Sequence, residues 1–291
     1  MVNKMKVRLT NIDSTMPNIA LMKLAHYHNS LGHEVYFKTS AKKDMFEPDY
    51  DIVYGSSIFT YSSKKRDEFM SNFPDAILGG TGTTNPITIE QQIKIPSYEF
   101  YDYSIYPDYK WSVGYTQRGC RFKCKFCVVP KKEGDVSTIQ TIHDIWRENT
   151  EKKIHLIDND FFGQEYWQDR CNEIIEGDFK ICLDQGINFR ILTDLQIEYL
   201  AQIKMMNKTF KNRVIYTAWD NLKHEKIFFN GVNRVRDAGI KTTLFCYVLI
   251  GFVKENDDEI EYRIKKLIEH KNIYVYPMIY NNKLNPDNPR S

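Results

Sequence analysis

Short apolar runs alternate with longer segments of helical periodicity along most of the chain. Met5-Lys6-Val7-Arg8-Leu9 reads as an opening strand. Pro17 then starts a helix through Leu31 whose stripe is Leu21, Leu24, Ala25 and His28, and Gly32 closes it. His28, lying in that stripe, is expected to be packed rather than to act as a ligand. Val35-Tyr36-Phe37, Ile52-Val53-Tyr54 and Ala76-Ile77-Leu78 supply further strands, with a helix expected over 64–73 between the last two. Strands alternating with helices imply a parallel sheet, so residues 1–95 are expected to form a small doubly wound α/β domain.

The alternation resumes with longer helices in the second half. Strands are expected at Ser112-Val113-Gly114-Tyr115, Ile154-His155-Leu156-Ile157, Ile181-Cys182-Leu183, Val214-Ile215-Tyr216, 243–249 and Tyr274-Val275-Tyr276. Between them fall helices marked by Ile139, Ile142, Ile145 and Trp146, by 165–175, by Ile197, Leu200 and Ala201, by Ile227, Phe228, Val232 and Val235, and by Ile260, Ile264, Leu267 and Ile268. About six β/α repeats are too few for a closed eight-fold barrel, so an open, partial (β/α)6 barrel is expected over 112–280. Residues 96–111 are rich in aromatic and turn residues and read as an interdomain linker. Residues 281–291 form a short polar tail.

Composition changes this picture little. The 291 residues are 42% hydrophobic and 27% charged, and no run reaches the roughly 18 apolar residues of a membrane helix. Without a membrane segment or an export-type apolar leader at the N-terminus, the expectation is a cytoplasmic protein. The net charge of +2 is uninformative, but its distribution is not: residues 110–132 carry seven basic side chains and no acidic one. Such a field favours thiolate over thiol and can receive an acidic partner. The segment Gly79-Gly80-Thr81-Gly82-Thr83-Thr84 follows a strand but does not match GxGxxG, so a tight turn explains it as well as a phosphate loop.

Within the basic stretch stands Arg118-Gly119-Cys120-Arg121-Phe122-Lys123-Cys124-Lys125-Phe126-Cys127, with three cysteines in eight residues at CxxxCxxC spacing. Zinc sites usually present two separated pairs and complete iron–sulfur sites four thiolates, so three close cysteines point to a cluster with one open position. Two other readings stand beside this one: a zinc-stabilised nucleic-acid-binding protein recruiting His143 or His155, and a barrel that binds a ligand without turnover. Cys171, Cys182 and Cys246 are scattered, and Cys182 and Cys246 read as small apolar fillers within strands.

Cys120, Cys124 and Cys127, with Phe126 before the third cysteine, resemble the motif of the radical S-adenosylmethionine (SAM) superfamily. The resemblance implies one 4Fe-4S cluster held by the three thiolates, with SAM on the fourth iron. It further implies reductive cleavage of SAM to a 5′-deoxyadenosyl radical that takes hydrogen from a substrate. By the same resemblance Asp158 and Asp160 serve the SAM amino end, Arg190 its carboxylate, Asp220 and Asn221 the ribose, and Gly251 the adenine. An acidic electron donor such as flavodoxin or ferredoxin is implied as partner. The substrate is left open among nucleotide, nucleic-acid base, peptide and metabolite. The first domain more loosely resembles the cobalamin-binding-like domain that precedes many such barrels. Its loop Asp13-Ser14-Thr15-Met16-Pro17-Asn18 lacks the histidine of DxHxxG, so histidine-ligated cobalamin is not expected.

Overall fold

The computed structural model describes residues 4–83, 87–252 and 257–280. The tail expected at 281–291 and Thr84 of the glycine-rich segment lie outside the described residues. Two compact units divide the chain, the first running through Tyr109 and the second starting at Lys110.

The first unit is a four-stranded parallel sheet. Strand β1 (Lys6–Asn11) lies between β2 (Glu34–Lys38) and β3 (Ile52–Ser56), and β4 (Ile77–Gly79) pairs with β3. Its helices are α1 (Ile19–Ser30), α2 (Ser63–Asn72) and the short α3 (Ile89–Ile93). Asn18 caps α1 by accepting a hydrogen bond from the Leu21 amide at 3.2 Å. Because side chains alternate along a strand, Val7 and Leu9 share one face with Leu21, Leu24 and Ala25 of α1. Arg8 is thereby sent to the opposite face, where it is fully buried. It bonds Glu47 at 2.9 Å and lies over the Phe73 ring at 4.4 Å. The aromatic segment after residue 96 packs onto this unit: Tyr98 belongs to its core, and the Tyr106 hydroxyl accepts from the Asn18 amide at 3.2 Å.

His28 is buried, with Nδ1 2.9 Å from His33 Nδ1 and Nε2 3.2 Å from the Tyr54 hydroxyl. The glycine-rich turn is a seam between two backbones. The Gly82 amide donates to the Ser57 carbonyl at 3.0 Å, and a Cβ on Gly80, whose φ is +102°, would strike that same carbonyl.

The second unit holds two parallel sheets. In one, β5 (Ser112–Gly114), β8 (Lys153–Leu156), β9 (Lys180–Leu183) and β10 (Lys204–Met205) lie side by side; the other comprises β11 (Val214–Ala218), β12 (Thr243–Ile250) and β13 (Ile273–Ile279). The Ile187 amide after β9 donates to the Tyr216 carbonyl of β11 at 2.8 Å, and the Thr217 hydroxyl returns a bond to the Ile187 carbonyl at 2.8 Å. Helices α6 (Trp167–Glu176), α7 (Asp194–Gln202), α8 (Glu225–Asp237) and α9 (Asp257–Glu269) separate the strands. Alternation again selects the core: Ile154, Leu156, Ile181, Leu183, Ile215, Leu244 and Val248 pack with Ile174, Leu200, Phe228, Val235 and Leu267 of the helices. The helix expected from Ile139 to Trp146 is a single turn, α5 (Ile142–Ile145), because Thr141 closes its start with a capping box to Asp144. A two-stranded antiparallel hairpin, β6 (Gln117–Arg118) and β7 (Ser137–Thr138), encloses the cysteine segment and a short helix, α4 (Val129–Lys132).

No helix among the described residues is long and apolar enough to cross a membrane.

Candidate functional site

The cysteine segment is anchored at both ends by the hairpin. Gly119 has φ +78°, and a Cβ there would collide with the Asp135 carbonyl, so only glycine fits where the loop leaves β6. Glu133, just past α4, accepts from the Gly119 amide at 3.1 Å, pairs with Arg118 at 3.2 Å and accepts from Asn159 Nδ2 at 2.9 Å. The loop is thus tied to the residues that follow β8. Asp160 adds a second tie, lying 2.8 Å from Arg121 Nε and accepting from the Arg121 amide at 3.3 Å.

Cys120, Cys124 and Cys127 are half-buried and none is in a disulfide. The Cys127 amide donates to the Cys124 carbonyl at 3.0 Å, and the Phe122 amide to Cys120 Sγ at 3.4 Å. Burial, reinforced by the Asp160 carboxylate and the other two cysteines, pushes the Cys120 thiol up to about 11. Burial also raises the Cys124 thiol, aided by Cys127 and Asp220 and opposed by Arg190. The basic stretch was expected to favour thiolates, but Arg118 and Arg121 are engaged by Glu133 and Asp160, so desolvation outweighs the cations. Among the described residues no three His, Cys, Asp or Glu side chains are gathered for a metal ion. The donor chemistry nevertheless fits an iron–sulfur group: three thiols share one loop, and Cys120 feels both of the others.

Loops after four further strands converge on this segment. After β8, Asp158 is fully buried, accepting from the Thr116 amide at 2.8 Å and bonding the Thr116 hydroxyl. Burial drives its carboxyl up to about 7 against those hydrogen bonds. After β9, Arg190 bonds Asn188 Oδ1 at 3.0 Å and His224 Nδ1 at 2.7 Å, and its charge reaches Cys124. After β11, the Asp220 carboxyl is raised by burial, opposed by Arg190, Arg263 and a hydrogen bond from the Leu249 backbone. After β12, Gly251 turns the chain with φ +83°, and the next ring, Phe252, packs edge-on to Phe126 at 5.4 Å. Asn221 is committed within its own loop, its side chain capping a short turn by accepting from the Lys223 amide at 2.9 Å, just as Asp158 is committed to Thr116 and Asp160 to Arg121.

Several participants were not singled out from sequence. Thr116 and Glu133 have no local signature, because their roles rest on partners 42 and 26 residues away. Arg263 of α9 is fully buried and donates to the Trp219 carbonyl at 2.9 Å and the Leu249 carbonyl at 2.8 Å. A lone arginine on the apolar stripe of a helix was the available signal. His143 packs against Phe179 and His155 sits beside Asp184, the two histidines considered as zinc ligands.

No protein-family model matches the chain, and no curated protein is significantly similar to it.

Proposed function

We propose that the protein is a radical SAM enzyme and that the two sheets of the second unit form one partial (β/α)6 barrel, joined through the Ile187–Tyr216 and Thr217–Ile187 hydrogen bonds. One observation carries the reading: the segments following β8, β9, β11 and β12 all act on the three-cysteine loop that follows β5. Barrel enzymes assemble their sites from loops at this end of the strands.

In this reading Cys120, Cys124 and Cys127 hold a 4Fe-4S cluster with SAM on its open iron. Bound there, the pair supplies reductive cleavage of SAM to a 5′-deoxyadenosyl radical, which takes hydrogen from the substrate. The chain's own residues bind and orient. Arg190, already partly fixed by Asn188 and His224, offers a guanidinium to the SAM carboxylate. Asp220 presents a carboxylate toward ribose hydroxyls, and Gly251 leaves room for the adenine. Asp160 and Glu133 hold the cysteine loop in place and Asp158 holds Thr116 ahead of it, rather than touching SAM themselves. Phe126 and Phe252 shield one side from water. Exposed Lys123 and Lys125 border the loop and suit an acidic electron donor.

Anaerobic reconstitution of the full chain is expected to incorporate about four irons and to yield 5′-deoxyadenosine on reduction with SAM present. Cys124→Ala should abolish both, and a reconstituted wild type that never cleaves SAM would sink the proposal.

A further inference from the structure

The two faces of the second unit's strands are built from different chemistry. Opposite the aliphatic helix-packed face stand His155 of β8, Cys182 of β9, Tyr216 of β11, Phe245 and Tyr247 of β12, and Tyr274 and Tyr276 of β13. They stand in register: Tyr216, Phe245 and Tyr274 form one row across three strands, Tyr247 and Tyr276 the next. Ring centroids along the first row are 5.1 and 5.0 Å apart. The row runs from Tyr216, 5% exposed, to Tyr274, 58% exposed, and Tyr276 beside it is 44% exposed. A packed barrel interior would use branched aliphatic residues here.

The buried end of this wall is polar. Asp184 lies between His155 Nε2 at 3.0 Å and Lys208 Nζ at 2.8 Å, and the Tyr247 hydroxyl donates to the Asp184 carbonyl at 2.9 Å. His155 is 1% exposed, and among the described residues its Nδ1 has no hydrogen-bond partner. Burying such a group contributes little to stability, so an aliphatic set would serve the fold better. Lys208 itself is half exposed, which connects the carboxylate to solvent and leaves ammonium donors to spare.

We infer that this wall binds a planar ring whose edge presents a hydrogen-bond donor beside an acceptor, that is, a nucleobase. Tyr274 and Tyr276, the exposed end of the wall, supply the stacking surface, and Asp184 with Lys208 supplies an acceptor next to a donor. A ring without polar edge atoms would gain nothing from the spare donors of Lys208 and bind less well. The inference names the substrate class for the reaction proposed above, and its catalytic use rests on that reading, but the binding does not.

Calorimetric titration of the full chain, free of iron and SAM, with guanosine and with uridine tests it. Adenosine is avoided because the proposed SAM site would also take it. Saturable binding of at least one nucleoside is expected, weakened about tenfold in Tyr276→Ala and in Lys208→Ala and retained in Tyr276→Phe. Both altered residues are exposed, so the variants should fold, which circular dichroism would verify. Absence of saturable binding by either nucleoside, or binding unchanged in Tyr276→Ala, overturns the inference. A wild type that binds nucleoside but never cleaves SAM would remove the proposed reaction and keep the wall.

Discussion

Asp158 shows how a single side chain can be fixed more by its surroundings than by its type. A carboxyl pushed to about 7 binds its proton in the folded state where the unfolded chain, near 3.8, has released it. Stability from this group is therefore full below pH 4 and declines as pH rises toward 7. Urea titrations from pH 4 to 8 should show wild-type stability falling relative to Asp158→Asn through that window. Parallel profiles would mean that the carboxyl is ionised in the fold. The charge type of Asp158 was legible in the sequence, as was its place after a strand. Its complete burial was not, because that depends on Thr116, which bonds it from 42 residues away and is itself held by Gln164.

At the level of elements, strand β1 carries a charge on a face that its neighbours make apolar. Burial opposes ionisation of Glu47, but the bonds from Arg8 and Tyr50 win and hold it at about 2, below its usual 4.5. A depressed carboxyl stabilises above its unfolded value and loses that contribution as pH falls toward the folded one. Glu47→Gln is thus expected to cost about 3 kcal/mol at neutral pH, with the difference from wild type vanishing near pH 2. Equal urea midpoints at pH 7 would contradict it. The element list was largely readable because alternation and helical stripes are local: the strands at 52–54, 181–183 and 214–216 each appear within a few residues of their expected bounds. The hairpin around the cysteines and the one-turn α5 were not readable. Two-residue strands have no period to detect, and a capping box can end one pattern before its apolar spacing does.

On the scale of the whole molecule, each of the four hydrophobic clusters among the described residues falls wholly on one side of the division at Tyr109 and Lys110. The cysteine spacing announced the candidate site, whereas its convergence with four other loops required the fold. Arg263 carries a consequence there. One guanidinium grips the carbonyls of Trp219 and Leu249, the residues that launch the Asp220 loop and the Gly251 turn. Those two loops are tied through one side chain, so they are expected to open together. Hydrogen exchange should reveal this as a shared rate for amides around 218–222 and 249–252, rising in both together in Arg263→Lys. A rise in only one would mean that the tie holds nothing in common, and that each loop answers its ligand alone.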